Sequence, residues 1–445
     1  MITAEEKALV RYAMDYALKN GADKVRMTLT KSREDLVATL NAEIDRVTSC
    51  LDRSLSIALF TDGRFGSFST NKLETAALEK FISKAIETVK MLAEDGCRDL
   101  PAFERCCKDA VTGNELELVD TNYDSITQEQ RKEIALKAAV FGRETAGSAY
   151  SIVSEEGEYS DSIYDTLLMD SNGIECRHTE TSFDYGVELT IEADGEKYSG
   201  YWWESSSRLA ELKYEDCGRI AEAKAAAQVG SEPMESGKYN MVIDSEVASK
   251  VVSPILHALN AYSIQQNSSF LMDSAGRKVF PDGLTIVDLP KIRKQVCSKL
   301  FDSEGVATRE WTIIDKGTVT GYFINTYMSR KLGIEPTVEE ATRPAVLPWP
   351  VKGLDRDAIM KRCSEGILVT EFNGGNSNSA TGDFSYGIEG IYFKDGKAVK
   401  PVSGMVVTGN FIQLWQNLVA AGDDARPCMS KLIPTLAFAN VDFSG

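Results

Sequence analysis

Two histidines, His178 and His257, set the first limit on the chemistry open to this chain. A zinc hydrolase helix needs two imidazoles about one turn apart, aimed at one ion, and a glutamate to activate water. His257 is followed by Ala258-Leu259-Asn260-Ala261 and His178 by Thr179-Glu180-Thr181-Ser182, so neither opens an H-E-x-x-H or a longer variant. Cys176 and His178 sit two apart on a strand-like run and share a face, which would let them ligate a metal; ordinary strand positions are the competing reading. His257, at the end of a helical pattern, reads as a capping or partly buried group. A serine triad on any scaffold would have to use one of these two histidines, and the G-x-S-x-G elbow is missing. The chain contains no G-x-G and no glycine loop ending in G-K-[ST], which removes both common nucleotide-binding signatures.

The densest unusual segment is Glu371-Phe372-Asn373-Gly374-Gly375-Asn376-Ser377-Asn378-Ser379-Ala380-Thr381-Gly382-Asp383-Phe384-Ser385-Tyr386-Gly387, with four glycines and three asparagines. Such residues permit positive φ and close backbone approach. The segment reads as a loop between strands or as a surface that recognises another backbone. It holds no basic residue and would be a poor phosphate cradle.

Composition narrows the class. The chain has 445 residues, 43% hydrophobic and 26% charged, as in an ordinary globular protein rather than a disordered one. Its formal net charge is −18, which argues against a nucleic-acid partner, because phosphate neutralisation needs basic patches. No apolar run approaches the roughly 18–20 residues of a membrane span. Met1-Ile2-Thr3-Ala4-Glu5-Glu6-Lys7 shows no basic region followed by an apolar one, so no signal peptide is expected. Nine scattered cysteines, with Cys106-Cys107 the one adjacent pair, read as reduced thiols of a cytoplasmic protein.

The charge is unevenly spread. Residues 151–200 carry thirteen Asp/Glu against two Lys/Arg, a net of −11, while residues 238–445 sum to zero. The step coincides with the linker-like Ser231-Glu232-Pro233-Met234-Glu235-Ser236-Gly237. The expected organisation is an acidic α+β region over 1–230, with a sub-boundary near 100–125, and a β-rich domain over 238–445. In Phe183-Asp184-Tyr185-Gly186-Val187-Glu188-Leu189-Thr190-Ile191-Glu192, apolar groups occupy odd positions and acids only even ones. Period two puts one set in the core and the other in water, so the acidity reads mainly as a solvated sheet face.

The elements follow from spacing. Thr3 and Glu6 form a capping box ahead of Leu9, Val10, Ala13, Tyr16 and Ala17, predicting a helix over 3–19. Alternation at Val25, Met27 and Leu29 and at Leu55, Ile57 and Leu59 predicts strands, and Asp62-Gly63 a hairpin turn. A second helix carries Leu78 to Leu92 and stops by Asp95-Gly96. A third is expected over 127–142 and a fourth over 207–229. In the second half a strand near 239–244 precedes a helix with the stripe Val247, Val251, Ile255 and Leu259, in which Pro254 should kink the axis. Turns fall at Asp282-Gly283, Asp315-Lys316-Gly317 and Asp395-Gly396. Phe411, Leu414, Trp415 and Leu418 mark a late helix, and Leu436-Ala437-Phe438-Ala439 a final strand. Frequent hairpins favour an α+β fold, two lobes of largely antiparallel sheets with a few packed helices.

Several segments together resemble the PmbA/TldD family, historically labelled modulators of DNA gyrase. They are Asn373-Gly374-Gly375-Asn376, Thr381 to Gly387, Pro401-Val402-Ser403 and Gly409-Asn410, with Ser268 to Asp273, Asp302 to Arg309, Arg330 to Gly333 and Asp62 to Gly66. The likeness covers nearly the whole chain and is strongest over 238–445. It implies a two-branch system in which TldD-type and TldE-type chains form a metalloprotease acting on unfolded or leader peptides. The TldD branch carries an H-E-x-x-x-H zinc helix. That motif falls here on Val251-Val252-Ser253-Pro254-Ile255-Leu256, with no ligand retained.

The resemblance therefore implies the PmbA/TldE branch: no catalytic residue and no zinc in this chain, and zinc in a TldD-type partner. The partner would be that subunit or a second copy. The substrate would be an extended peptide, met by Asn373, Gly374, Gly375, Asn376, Thr381, Gly382, Asp383, Phe384 and Ser385. A regulatory protein acting on gyrase and a stand-alone peptidase with an unrecognised site are the other readings.

Overall fold

The computed structural model describes residues 1–143 and 149–445. The chain opens with α1 (Ala4–Lys19), whose capping box is formed: Thr3 Oγ1 accepts from Glu6 N at 3.2 Å and Glu6 Oε2 accepts from Thr3 N at 2.9 Å. Three strands, β1 (Lys24–Leu40), β2 (Glu43–Thr61) and β3 (Arg64–Thr70), lead into α2 (Thr75–Val89) and α3 (Gln128–Lys137). Then come β4 (Ser151–Asp170), β5 (Glu175–Ala193), β6 (Glu196–Ser206) and α4 (Cys217–Ala226). The six strands make one antiparallel sheet in the order β3-β2-β1-β4-β5-β6.

Register explains the sheet's two faces. Paired strands β1, β2, β4 and β5 match odd residues with odd ones over most of their length. Val25, Met27, Leu29, Leu55, Ile57 and Leu59 pack under α1 and α2. Phe183, Tyr185, Val187, Leu189 and Ile191 pack under α3 and α4. The even positions, Glu156, Glu158, Asp184 and Glu188 among them, line an open concavity on the other face. The alternation of the sequence thus becomes one apolar face and one acidic face.

A buried ion cluster fastens α3 to this sheet. Arg131 Nε and Nη2 donate to both oxygens of Asp161 at 2.7 and 2.9 Å, Asp35 lies 3.2 Å from Nη2, and Tyr159 Oη donates to Asp161 at 2.9 Å. Both carboxylates are buried, and the bidentate geometry with extra donors offsets their desolvation.

The second half begins with β7 (Gly237–Ile243), α5 (Ser249–Ala258) and α6 (Ala261–Gln265). A small sheet, β10-β9-β8-β11, is built from β8 (Ile286–Asp288), β9 (Trp311–Asp315), β10 (Thr318–Val319) and β11 (Pro344–Val346), with α7 (Thr326–Leu332) between the last two. After α8 (Arg356–Cys363) follow β12 (Glu365–Phe372), β13 (Asn376–Ser377), β14 (Asp383–Lys394), β15 (Lys397–Asn410), α9 (Phe411–Gln416), β16 (Leu418–Ala421) and β17 (Leu436–Ser444). Five of these strands close a ring. β12 pairs in parallel with β7, and antiparallel pairing runs β7 to β17, β17 to β15, β15 to β14 and β14 back to β12. β13 and β16 are appended to β14 and β17. The α+β class expected from the hairpins is the class observed.

Some helices are shorter than their sequence patterns suggest. α3 ends at Lys137 because Val140 N and Phe141 N donate to Glu155 Oε2, 2.9 and 2.5 Å away, instead of continuing the helix. α2 ends at Val89, leaving Leu92 42% exposed beyond it. Between 207 and 229 only the turn Leu209–Glu211 and α4 are helical, since Leu209 N is drawn to Asp120 Oδ2 at 3.0 Å. Leu418 is a strand residue opposite Phe438 and not part of the late helix.

Two positions give testable stabilities. The β1–β2 turn holds Asn41 at φ 50° and Ala42 at φ 62°. A type I′ turn requires positive φ at both, where a Cβ costs about 1 kcal/mol. Ala42→Gly should raise stability by up to about that amount, read from the midpoint of urea unfolding. Burial, then Glu304 and Glu339, push the Asp302 carboxyl up from 3.8 to about 7. The folded chain then holds a proton the unfolded chain has released, so this group lowers stability progressively from about pH 4 to pH 7. Asp302→Asn keeps an acceptor for Glu304 N and Val306 N, both 2.9 Å away. The variant should match the parent at pH 4 and exceed it at pH 8 in the same unfolding measurement.

Candidate functional site

α5 lies against the ring as a helix divided by environment. Val251, Val252, Ile255 and Ala258 are buried in the core that fills the ring, and the Val251 carbonyl accepts from Trp415 Nε1 at 3.3 Å. The opposite stripe, Lys250, Ser253, Pro254 and His257, faces a cleft. Across the cleft stand Glu371, Phe372, Ser377, Asn378, Ser379 and Tyr386, from β12, β13, the segment that follows and β14. Phe270 and Phe411 form its floor; Phe411 stacks on Phe384 with ring centroids 4.8 Å apart. The cavity measures about 590 Å³.

A second cavity of about 870 Å³ adjoins the first, sharing Glu246, Val247 and Glu371. It lies between β6 and α4 on one side and α8, β12 and β14 on the other, with Trp202, Trp203, Arg219, Lys224, Arg356 and Lys361 among its walls. Lys224 Nζ contacts Glu246 at 2.5 Å, and Arg356 Nη1 contacts Asp244 at 3.0 Å. Burial raises the Glu246 carboxyl above its ordinary value, opposed by Lys224. Burial also raises Glu371, reinforced by Glu389. The shared wall of the two cavities therefore carries carboxyls that gain from any cation or amide donor brought to them.

The glycine- and asparagine-rich segment is more ordered than a flexible loop. Asn378 Oδ1 accepts from Ala380 N at 2.9 Å, and Gly382 N donates to the Asn378 carbonyl at 2.8 Å. Asn410 caps α9 through Ile412 N at 3.0 Å while its amide donates to the Thr381 carbonyl at 2.8 Å and to Asp383 Oδ1 at 2.9 Å. These donors, with Thr381 Oγ1, hold the Asp383 carboxyl below its ordinary value. Asn373 Nδ2 donates to Glu389 Oε1 at 2.9 Å.

The structure divides the residues picked out in sequence. Asn373, Gly374, Gly375, Asn376, Thr381, Asp383 and Ser385 are exposed, whereas Gly382 and Phe384 are buried, Phe384 as part of the aromatic floor. Ser377, Asn378 and Ser379 reach the cleft instead, and sequence reasoning passed over them. It also missed Lys250 and Tyr386, which face one another with the ammonium 4.6 Å from the ring centroid. A helical stripe of polar residues opposite the apolar one could have marked Lys250 and Ser253.

The other sequence candidates lie elsewhere. His257 is exposed rather than partly buried, with Nε2 3.4 Å from Ser263 Oγ. Cys176 and His178 share the face of β5 opposite Phe183 and Tyr185, buried there against Cys107 and Phe301, and the Cys176 thiol donates to the Cys107 carbonyl at 3.1 Å. The His178 ring stands edge-on to Phe301, with Nε2 3.4 Å from Glu180 Oε2.

With this geometry in hand, the class is that of a closed-ring domain carrying a helix-walled cleft and joined to a long antiparallel sheet. Residues 236–445 match the PmbA/TldA metallopeptidase C-terminal domain and residues 122–229 the PmbA/TldA metallopeptidase central domain. The chain belongs to the PmbA/TldD family. It is 25% identical over 431 residues to the metalloprotease PmbA of Escherichia coli O157:H7, covering 94% of this chain and 92% of that one. A crystal structure from Bacteroides thetaiotaomicron, labelled a modulator of DNA gyrase, superposes with a TM-score of 0.94 at 38% identity, over all of both chains. TldE from Thermococcus kodakarensis shares the fold, with a TM-score of 0.81 at 18% identity over 99% of this chain and all of that one.

The family description implies a metal, and the side chains on α5 do not fit one. Val251, Val252 and Ile255 are hydrocarbon sealed in the core, Glu246 is engaged by Lys224, and the Lys250 ammonium stands on the cleft wall. Among the described residues, no three His, Cys, Asp or Glu side chains converge as a metal site.

The cleft wall depends on Gly375, where φ is +84° and an added Cβ would lie 2.0 Å from the Ser385 carbonyl oxygen. Gly374, at φ +87°, has open space around it. Gly374→Ala should therefore cost about 1 kcal/mol of backbone strain. Gly375→Ala should cost clearly more, because β13 must move off β14. Thermal unfolding of the two variants side by side measures the difference.

Proposed function

We propose that this chain is a PmbA/TldE-like, non-catalytic subunit of a TldD/TldE-type metalloprotease complex acting on unfolded or leader peptides in the cytoplasm. The observation that carries this reading is the environment of α5. At the place of the family's zinc helix, hydrocarbon is turned into the core, and the stripe facing the cleft offers an ammonium, a hydroxyl, a proline ring and one imidazole. Water is activated by a bound cation, and a helix so arranged leaves that task to a partner. Zinc belongs in the TldD-type subunit.

This chain's part is to hold substrate. An extended peptide entering the cleft finds the short edge strand β13 and the hydroxyls of Ser377 and Ser379. Strand addition suits an unfolded substrate, since main-chain hydrogen bonds give affinity without requiring one side-chain sequence. The aromatic floor and the Glu246–Glu371 wall then bias side-chain choice.

Metal content by mass spectrometry, paired with cleavage of an unfolded peptide, tests the assignment. The lone chain should carry no stoichiometric zinc and cleave nothing, while an equimolar mixture with a TldD-type chain should do both. Stoichiometric zinc and chelator-sensitive cleavage by the lone chain would overturn the reading.

A further inference from the structure

Lys250 brings an ammonium to the wall of the cleft, and its charge is left unanswered. The residue is half-buried, yet among the described residues its Nζ makes neither an ion pair nor a hydrogen bond. Neighbouring cations are placed differently: Lys224 Nζ meets Glu246 at 2.5 Å and Arg356 Nη1 meets Asp244 at 3.0 Å. The carboxyls on the cleft lining do not neutralise Lys250 either. Glu246 is taken by Lys224. Burial, then Glu389, raise the Glu371 carboxyl above its ordinary value, which disfavours its charged form. His257, two turns further along α5, is turned to Ser263.

What holds the ammonium is an aromatic face. Nζ stands 4.6 Å from the Tyr386 ring centroid. Tyr386 is buried, stacks on Phe384 with centroids 5.5 Å apart and meets Phe372 edge-on at 5.6 Å. Phe384 in turn stacks on Phe411 of the floor. A ring anchored in such a column cannot swing aside without disturbing the core, so it fixes where the ammonium sits. Its quadrupole attracts a cation but carries no net charge. A carboxylate partner would cancel the charge of Lys250, whereas an aromatic partner orients it and leaves it whole. Hydroxyls of Ser253, one turn along the helix, and of Ser377 and Ser379 across the cleft share the lining with it.

We infer that Lys250 anchors a carboxylate subsite in the cleft, binding a carboxylate of the extended peptide, whether its free C-terminus or an acidic side chain. This rests on the peptide-holding role given above and adds the class of group that the cleft selects. One ammonium suits one singly charged anion. A phosphate dianion would be left half-neutralised, facing Glu371 across the opening. The subsite supplies what strand addition lacks, since main-chain bonding to β13 does not discriminate by charge. Selection is by contact and not by long-range steering, because the chain's net charge of −18 repels acidic peptides at a distance.

Isothermal titration calorimetry on the full chain tests it with three versions of one short acetylated peptide of Ala, Ser, Thr and Val. The first ends in a free carboxylate, the second in an amide, and the third in an amide with a single Glu in its interior. Salt at about 0.15 M screens the net charge beyond about 8 Å. The parent should bind an acid-bearing peptide about tenfold more tightly than the neutral one, the scale of a hydrogen-bonded charge pair. Which of the two gains tells whether a chain end or a side chain is read. Lys250→Met should remove the gain, leaving all three peptides with one common affinity, and Lys250→Arg should keep most of it. Lys361→Met removes a lysine from the adjoining cavity and should keep the gain in full. Equal binding of the three peptides by the parent, a gain that survives Lys250→Met, or a gain lost in Lys361→Met would overturn the subsite and leave the peptide-holding role standing. Failure of all three peptides to bind the parent would overturn both.

Discussion

The pairing of β12 on both its sides is the constraint from which the second half of the molecule follows. By bonding β7 in parallel and β14 antiparallel, β12 turns an open sheet into a closed ring. A closed ring has no edge to protect, and its inner face must be filled. Ile243, Ile367, Val369, Ile388, Val407 and Phe438 contribute to that filling, and α5 supplies Val251, Val252 and Ile255 to the same core. Once those three side chains are committed inward, the helix cannot rotate without opening a cavity, which costs about 2–5 kcal/mol for each large side chain lost. The face presented to the cleft is thereby determined, and so is the chemistry it lacks.

The first half solves the edge problem differently. Its sheet is open, with helices on one face and, on the other, water over the acidic stretch and a small apolar cluster of Cys107, Leu168, Cys176 and Phe301. The strong negative charge of the chain is a consequence of this arrangement. Strands that alternate between core and water need polar residues at every second position, and here many of those are carboxylates. Acids spread along several strands on a solvated face are screened by salt and compensated in places, as where Arg46 approaches Glu158. Where a carboxylate is instead turned inward, as at Asp161, it comes with the Arg131 guanidinium and a tyrosine hydroxyl.

What was legible in the sequence was local. The capping box at Thr3 and Glu6, the alternation from Phe183 to Ile191 and the turn at Asp62-Gly63 each depend on neighbours in the chain, and each is found. Helix ends were less legible because distant groups decide them: nothing near Val140 indicates that Glu155, on the next strand, will take its N–H. Leu418 sits at helical spacing from Leu414, yet strand pairing with Phe438 claims it. The ring was invisible for the same reason, since β7 and β12 lie more than a hundred residues apart. The cleft was half visible. The glycine- and asparagine-rich segment stood out by composition, but the serines within it that reach the cleft do so only because Phe384 turns inward.

That inward turn shows how the segment divides its labour. Its asparagines, which composition suggests as recognition groups, are largely occupied in shaping the chain itself. Asn373 is tied to Glu389 and Asn378 to the turn at 380–382, while Asn410, outside the segment at the start of α9, reaches back to Thr381 and Asp383. Hydrogen-bonding capacity used internally is not offered to a ligand, and breaking it to make an external bond gains little, because one bond is exchanged for another. What the segment does leave at the cleft is the short edge strand β13, where Ser377 lines the opening, together with the hydroxyl of Ser379. Rigid backbone donors and acceptors lose little entropy when a strand is laid against them. Two of the three asparagines that make this stretch conspicuous in sequence, Asn373 and Asn378, are therefore scaffold, and the serines, least distinctive by type, are among the side chains that line the cleft.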